Sequence, residues 1–209
     1  MTSPQVARVD GRRARGRRTR ESILASAVHI ASVDGLEGLT IGRLAGELGM
    51  SKSGLFAHFG SKEELQLATI DAARAIFVAE VVEPARAAGK GLPRLTTLLE
   101  RWLAYMRREV FAGGCFFEAV RGEYDSRPRG PIRDLIGEQF TDWSNLLERL
   151  IRAAQDAGGL DPEVDPRLLA FELEAFGSAA NVRYQLYGDR DAFTLAERAI
   201  RARLDAVTR

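Results

Sequence analysis

Two histidines, His29 and His58, and one cysteine, Cys115, are the side chains here that would most readily ligate a soft metal or activate a nucleophile near neutral pH. Two imidazoles and one distant thiol fall short of a four-ligand zinc site. A Cys–His nucleophile would need position 115 folded onto 58 or 29, and the spacing gives no reason for that. Neither a phosphate-binding Walker loop nor a dinucleotide glycine fingerprint is present. Cys115 stands between Gly113-Gly114 and Phe116-Phe117, without an adjacent cation to lower its pKa. It reads as a small buried hydrophobe rather than a sensor. No catalytic residue, metal or cofactor is therefore expected.

The chemistry that the spacing does offer is binding. In the stretch 49–59, GMSKSGLFAHF, Ser51 suits a helix N-cap, and Leu55 and Phe59 fall at i and i+4 on one buried face. Lys52 and Phe56 then point away from that face, with Ser53 and Ala57 beside them. A small, cationic outer face at a helix N-terminus can enter a DNA major groove and favours phosphate. Charge is distributed to match. Residues 1–62 hold 10 Lys+Arg against 5 Asp+Glu, and the remainder holds 20 against 24. Arg12, Arg13, Arg15, Arg17, Arg18 and Arg20 make up much of the excess, so a polyanionic partner is expected for the front of the chain only.

The elements that must position this face are helical. Residues 1–18 lack periodicity and are expected to form a flexible basic arm. From Thr19, the residues Ile23, Ala27, Ile30 and Ala31 recur at helical spacing up to a stop at Gly35. Thr40 can cap a second helix carrying Ile41, Leu44, Ala45 and Leu48 inward to Gly49. That helix is too short to stand alone in water. Ser51 opens the next, Gly60 closes it, and Ser61-Lys62-Glu63-Glu64 is a capping-box sequence for a fourth. Helix, glycine turn, short helix is the helix-turn-helix pattern.

The run 35–65, GLEGLTIGRLAGELGMSKSGLFAHFGSKEEL, resembles the DNA-binding domain of the TetR family of bacterial transcriptional repressors. The matching positions are Gly35, Leu39, Thr40, Leu44, Ala45, Gly49, Ser51, Leu55, His58, Phe59, Lys62 and Leu65, with Ile23 and Leu24 in the first helix. Position 56 departs from the family's usual tyrosine, so Phe56 lacks the hydroxyl that bonds a phosphate. The resemblance implies that Lys52, Ser53, Phe56 and Ala57 face the groove and that Thr40, Ser51, His58 and Lys62 contact phosphate. The expected fold is all-α: a three-helix helix-turn-helix domain over 19–62, then a larger helical ligand-binding and dimerisation domain over 63–209.

Beyond residue 62, apolar periodicity continues without strand alternation. Leu65, Ala68, Ala72, Ile76 and Val81 predict a helix ending at Pro84, and Leu95 to Met106 predict the next. A long amphipathic helix runs from Ile132 to Ile151, and Asp165-Pro166 suits the start of another. That helix is apolar nearly all round. One face carries Leu169, Leu173, Phe176, Ala180 and Tyr184; the other carries Leu168, Phe171, Ala175, Ala179, Val182 and Leu186. Such a helix is central to a bundle or shared with a second chain. The family pairs its two C-terminal helices across a homodimer, so the first face, with Ile200 and Leu204, is the expected interface. Asn181 and Arg183 stand among these apolar residues, suited to a polar ligand group or a cross-dimer contact. The segment GGCFFEAVRGEYDSRP, from Gly113, is similar to one bordering the ligand cavity in part of the family. Trp102, Met106, Cys115, Phe116, Phe117, Trp143, Phe176 and Tyr184 are the expected cavity lining.

The implied function is a sequence-specific regulator of transcription, a homodimer on a palindromic operator in double-stranded DNA, released by a small-molecule effector. No apolar run is long enough to span a membrane and no apolar segment follows the basic N-terminus, so a cytoplasmic protein is expected. Two other classes stay open. A small-molecule enzyme lacks an acid–base constellation to support it, and a helical interaction module would bind DNA through charge alone.

Overall fold

The computed structural model describes the backbone from Pro4 to Arg209 and the side chains from Ala14 onward. Helix α1 runs Pro4–Gly38 and breaks at Gly35, whose φ of 73° is left-handed. Short helices α2 (Ile41–Glu47) and α3 (Lys52–Phe59) follow. Helix α4 (Lys62–Phe77) then passes through a π-helical turn (Val78–Val82) into α5 (Glu83–Arg86). The body is completed by α6 (Leu92–Arg107), α7 (Phe116–Tyr124), α8 (Pro131–Asp156), α9 (Pro166–Tyr187) and α10 (Ala192–Asp205). Among the described residues there is no strand, and a single β-bridge joins Leu160 to Thr208. The expectation of an all-α chain is met.

Two departures from the expected elements have physical causes. The basic arm continues α1 as helix from Pro4, with Met1 to Ser3, and the side chains of Arg12 and Arg13, outside what is described. Arginine is a good helix former, and an aperiodic charge pattern removes an apolar stripe without forbidding a helix that is already nucleated downstream. The helix expected to end at Pro84 passes through it. Proline lacks an N–H and its ring crowds the carbonyl four residues back. The π-turn absorbs this: the Glu83 amide bonds to the Val78 carbonyl, widening the backbone just before Pro84.

Two apolar clusters form the core. The head cluster joins Ile23, Ala27 and Ile30 of α1 to Leu39, Leu44 and Ala45, to Leu55 and Phe59 of α3, and to Leu65 of α4. The body cluster takes Val28, Ala31 and Leu36 from α1, Ile70 and Ala73 from α4, and the inward faces of α6 to α10. Helices α1 and α4 therefore belong to both. Full burial of Leu55 and Phe59 is worth roughly 1.5–3 kcal/mol each, which fixes the eight-residue α3 in place, and Leu44 does the same for the seven-residue α2.

Candidate functional site

The head presents α3 outward. Ser51 caps it, its hydroxyl accepting from the Gly54 amide at 3.0 Å, and Thr40 caps α2 through the Arg43 amide at 3.2 Å. Ser61 caps α4 by accepting from Glu64 at 3.0 Å. With Leu55 and Phe59 turned inward, Lys52, Ser53, Phe56 and Ala57 are exposed together, Phe56 at 50%. The Arg20 guanidinium lies 4.2 Å over the Phe59 ring and donates to the His58 carbonyl, so α1 anchors the C-terminal end of α3. His58 is half-buried.

Lys62 is engaged within the protein while its side chain stays 40% exposed. Its ammonium lies 2.7 Å from the Glu37 carboxylate and 3.2 Å from the Glu37 carbonyl. The Glu37 carboxylate also accepts from the Tyr124 hydroxyl and the Arg127 guanidinium, each at 3.0 Å. The bond from Lys62, above all, holds its carboxyl down at about 2. Lys62 thus helps to hold the Glu37 carboxylate, which carries the contact from the head to Tyr124 and Arg127 of the body. The same junction uses the break at Gly35, which turns the Leu36 and Glu37 amides onto the Glu123 carboxylate at 2.7 and 2.9 Å. A side chain at 35 would collide with that carboxylate as well as strain the backbone. Gln66 completes the joint by donating to the Leu36 carbonyl at 2.6 Å.

The body carries a cavity of about 430 Å³, open to solvent on one side and of a size to hold a small organic molecule. Trp102, Cys115, Phe117 and Trp143 line it as expected. Met106, Phe116, Phe176 and Tyr184 do not. Met106 and Phe116 are fully buried in the body core, and Tyr184 stacks on Phe193 at 5.1 Å. Phe176 packs on the outside of that core. The lining that sequence reasoning missed includes Phe77 and Val78 of the α4 rod, Phe140 of α8, Glu118 of α7, and Glu174 and Ser178 of α9. Glu118 was within reach, since it belongs to the segment expected to border the cavity. Burial pushes the Cys115 thiol up to about 12, which leaves it protonated and inert. Its amide donates to the Asn181 side chain at 3.3 Å.

Most of the expected dimer residues lie inside the chain itself. Leu169, Leu173, Ala180, Ile200 and Leu204 are buried in the chain's own core, with Phe176 and Tyr184 half-buried against it. The other face of α9 is open: Leu168, Phe171, Val182 and Leu186 are 42–73% exposed, and Leu195 of α10 is exposed beside them. Arg183 pairs with Asp189 at 2.7 Å. No described helix is long and apolar enough to cross a membrane, and no cluster of metal-ligating side chains occurs among the described residues.

A capped helix-turn-helix whose exposed second helix is joined rigidly to a cavity-bearing helical body defines a DNA-binding protein of the helix-turn-helix class. Residues 23–69 match the family described as bacterial regulatory proteins, tetR family, and residues 91–200 match the tetracyclin repressor-like C-terminal domain. The chain belongs to the TetR family and is a DNA-binding transcriptional regulator, not an enzyme. It is 26% identical over 185 residues to the HTH-type transcriptional regulator TcmR of Streptomyces glaucescens, covering 86% of this chain and 79% of that one. A TetR regulator from Chloroflexus aurantiacus superposes with a TM-score of 0.84 at 25% identity, covering 94% and 98% of the two chains. Another solved structure, described as a molecular basis for control of antibiotic production by bacterial hormones, is 27% identical with a TM-score of 0.69 over 92% and 98%.

Proposed function

We propose that this chain is a cytoplasmic, homodimeric repressor that leaves a palindromic operator when a small molecule enters the body cavity. The observation that carries the reading is the continuous rod from Lys62 to Arg86. Its first turns belong to the head cluster through Leu65 and Ala68, and its far end lines the cavity through Phe77, Val78 and Val82. A molecule that displaces the cavity wall thus moves an element on which α3 is seated. Lys52, Ser53, Phe56 and Ala57 meet base edges or sugar, and Thr40, Ser51 and His58 lie beside phosphate; Lys62 is left out of that set. The exposed stripe of α9, Leu168, Phe171, Val182 and Leu186, meets its copy across a twofold axis. Two heads about 34–36 Å apart would then reach successive major grooves.

The test is fluorescence anisotropy with DNA flanking the protein's own gene, beside a scrambled duplex, at several salt concentrations. A preference of about a thousandfold for the flanking DNA supports the reading. Equal and steeply salt-dependent binding to both would reduce the head to an electrostatic patch. Leu186→Glu, at a position outside the cavity lining, followed by light scattering, tests the interface: the expected product is a folded monomer, and an unaltered dimer removes α9 from it.

A further inference from the structure

The cavity's own side chains point to the class of effector it takes, given the reading of that cavity as an effector site. Phe77, Trp102, Phe117 and Trp143 form a wall of rings, Trp143 lying 5.3 Å from Phe77 and 5.0 Å from Trp102, and Phe117 6.1 Å from Phe77. Two carboxylates stand beside this wall. The side chain of Glu118 is 7% exposed; it accepts from the Ser178 hydroxyl at 2.8 Å and pairs with Arg121 at 2.6 Å. Glu174 accepts from the Ser144 hydroxyl at 2.7 Å and has no cationic partner among the described residues. Ser178 lies one helical turn beyond Glu174, so the carboxylate it holds is Glu174's neighbour on that face. Burial, and then the charge of Glu118, raise the Glu174 carboxyl above its ordinary range.

Two carboxylates therefore stand beside the aromatic wall, and only Glu118 has a guanidinium partner. The remaining arginines around the cavity are exposed: Arg74 pairs with Asp142 at 3.1 Å, Arg86 with Glu83 at 2.6 Å, and Arg149 lies open at the mouth. A half-buried carboxylate without a cationic partner favours a countercharge, and ring faces attract cations, so both features select the same ligand charge. We propose that the cavity takes a monovalent organic cation, an ammonium on an apolar or aromatic body. Its charge sits between Glu118 and Glu174, and its body lies among Phe77, Trp102, Phe117 and Trp143.

Trp102 and Trp143 are the chain's two tryptophans, so intrinsic fluorescence reports on this site. The experiment titrates the full chain with three matched probes: a biphenylmethyl trimethylammonium, its uncharged carbon isostere, and a biphenyl propionate. The expected result is saturable quenching by the cation with a Kd at least tenfold below that of the isostere. Glu174→Gln keeps the acceptor for Ser144 and is expected to abolish that tenfold preference while leaving isostere binding unchanged; Glu118→Gln should act in the same direction. Equal binding of cation and isostere, or tightest binding of the propionate, would overturn the cationic class and leave the cavity reading standing. Tight cation binding without release of operator DNA would uphold the class and sink the effector role. No response to any probe would sink both.

Discussion

Glu37 and Lys62 are joined by a 2.7 Å ion pair that links the last turn of α1, beyond the break at Gly35, to the first residue of α4. Because Tyr124 and Arg127 share the same carboxylate, one side chain ties the DNA-binding head to α7 of the body. The folded-state pKa of about 2 lies below the ordinary value of 4.5, so the contribution to stability is present above 4.5 and is lost as pH falls toward 2. Glu37→Gln is expected to lower the urea midpoint at pH 7 by an amount worth about 1 kcal/mol or less, since the pair is solvent-exposed. The difference from wild type should shrink between pH 5 and pH 3. A difference constant across that range would mean that charge at Glu37 does not matter.

Lys52 is exposed on the outer face of α3 with no ion-pair partner among the described residues. Lys52→Ala is expected to weaken operator binding by about 1–3 kcal/mol if the ammonium meets a base, or to lower the salt slope by about one if it meets a phosphate. An unchanged isotherm at every salt concentration would remove Lys52 from the interface.

Phe56 projects from the same face, one turn along. Phe56→Tyr adds a neutral donor where a phosphate is expected, so affinity should rise by about 0.5–1.5 kcal/mol with no change in salt slope. Weaker binding would show that the ring packs on an apolar part of the groove, such as a thymine methyl.

Trp102 lies against the backbone of α9 at Gly177, where an added Cβ would come within 2.2 Å of two atoms of its six-membered ring. Gly177→Ala is expected to cost about 1–3 kcal/mol through overpacking and to alter tryptophan emission. Unchanged melting and emission would show that α9 can move aside.

Cys115 is buried and its thiol is held protonated. A disulfide reagent at pH 8 should react with it only as denaturant unfolds the chain, and Cys115→Ser should keep ligand-induced DNA release. Rapid labelling of the folded protein would restore the thiol as a candidate sensor.

Local chemistry made much of this legible. Thr40, Ser51, Ser61 and Asp165 cap the helices they precede, because an orphan amide and a nearby side-chain oxygen are sequence neighbours. The exposed face of α3 followed from the spacing of Leu55 and Phe59. The role of Lys62 did not, since its partner lies 25 residues away across a turn. Periodicity was silent on α9: with apolar residues on both faces, only the packing of α8 and α10 decides which one the chain keeps. The cavity was half legible for the same reason. An aromatic residue announces burial, but whether it faces a void or another side chain depends on helices far apart in sequence.

The contact between Gly177 and Trp102 also bears on how such a regulator changes its ligand over generations. Behind the cavity wall the Trp102 indole rests on the α9 main chain, so position 177 admits no larger residue while the indole stays, and any smaller residue at 102 opens a hole. Single substitutions there are blocked in both directions. Gln139, which lines the cavity from α8, meets no such backbone contact. A lineage adapting to a new effector would therefore vary α8 and hold 102 and 177 together, and the pair would be inherited as a unit.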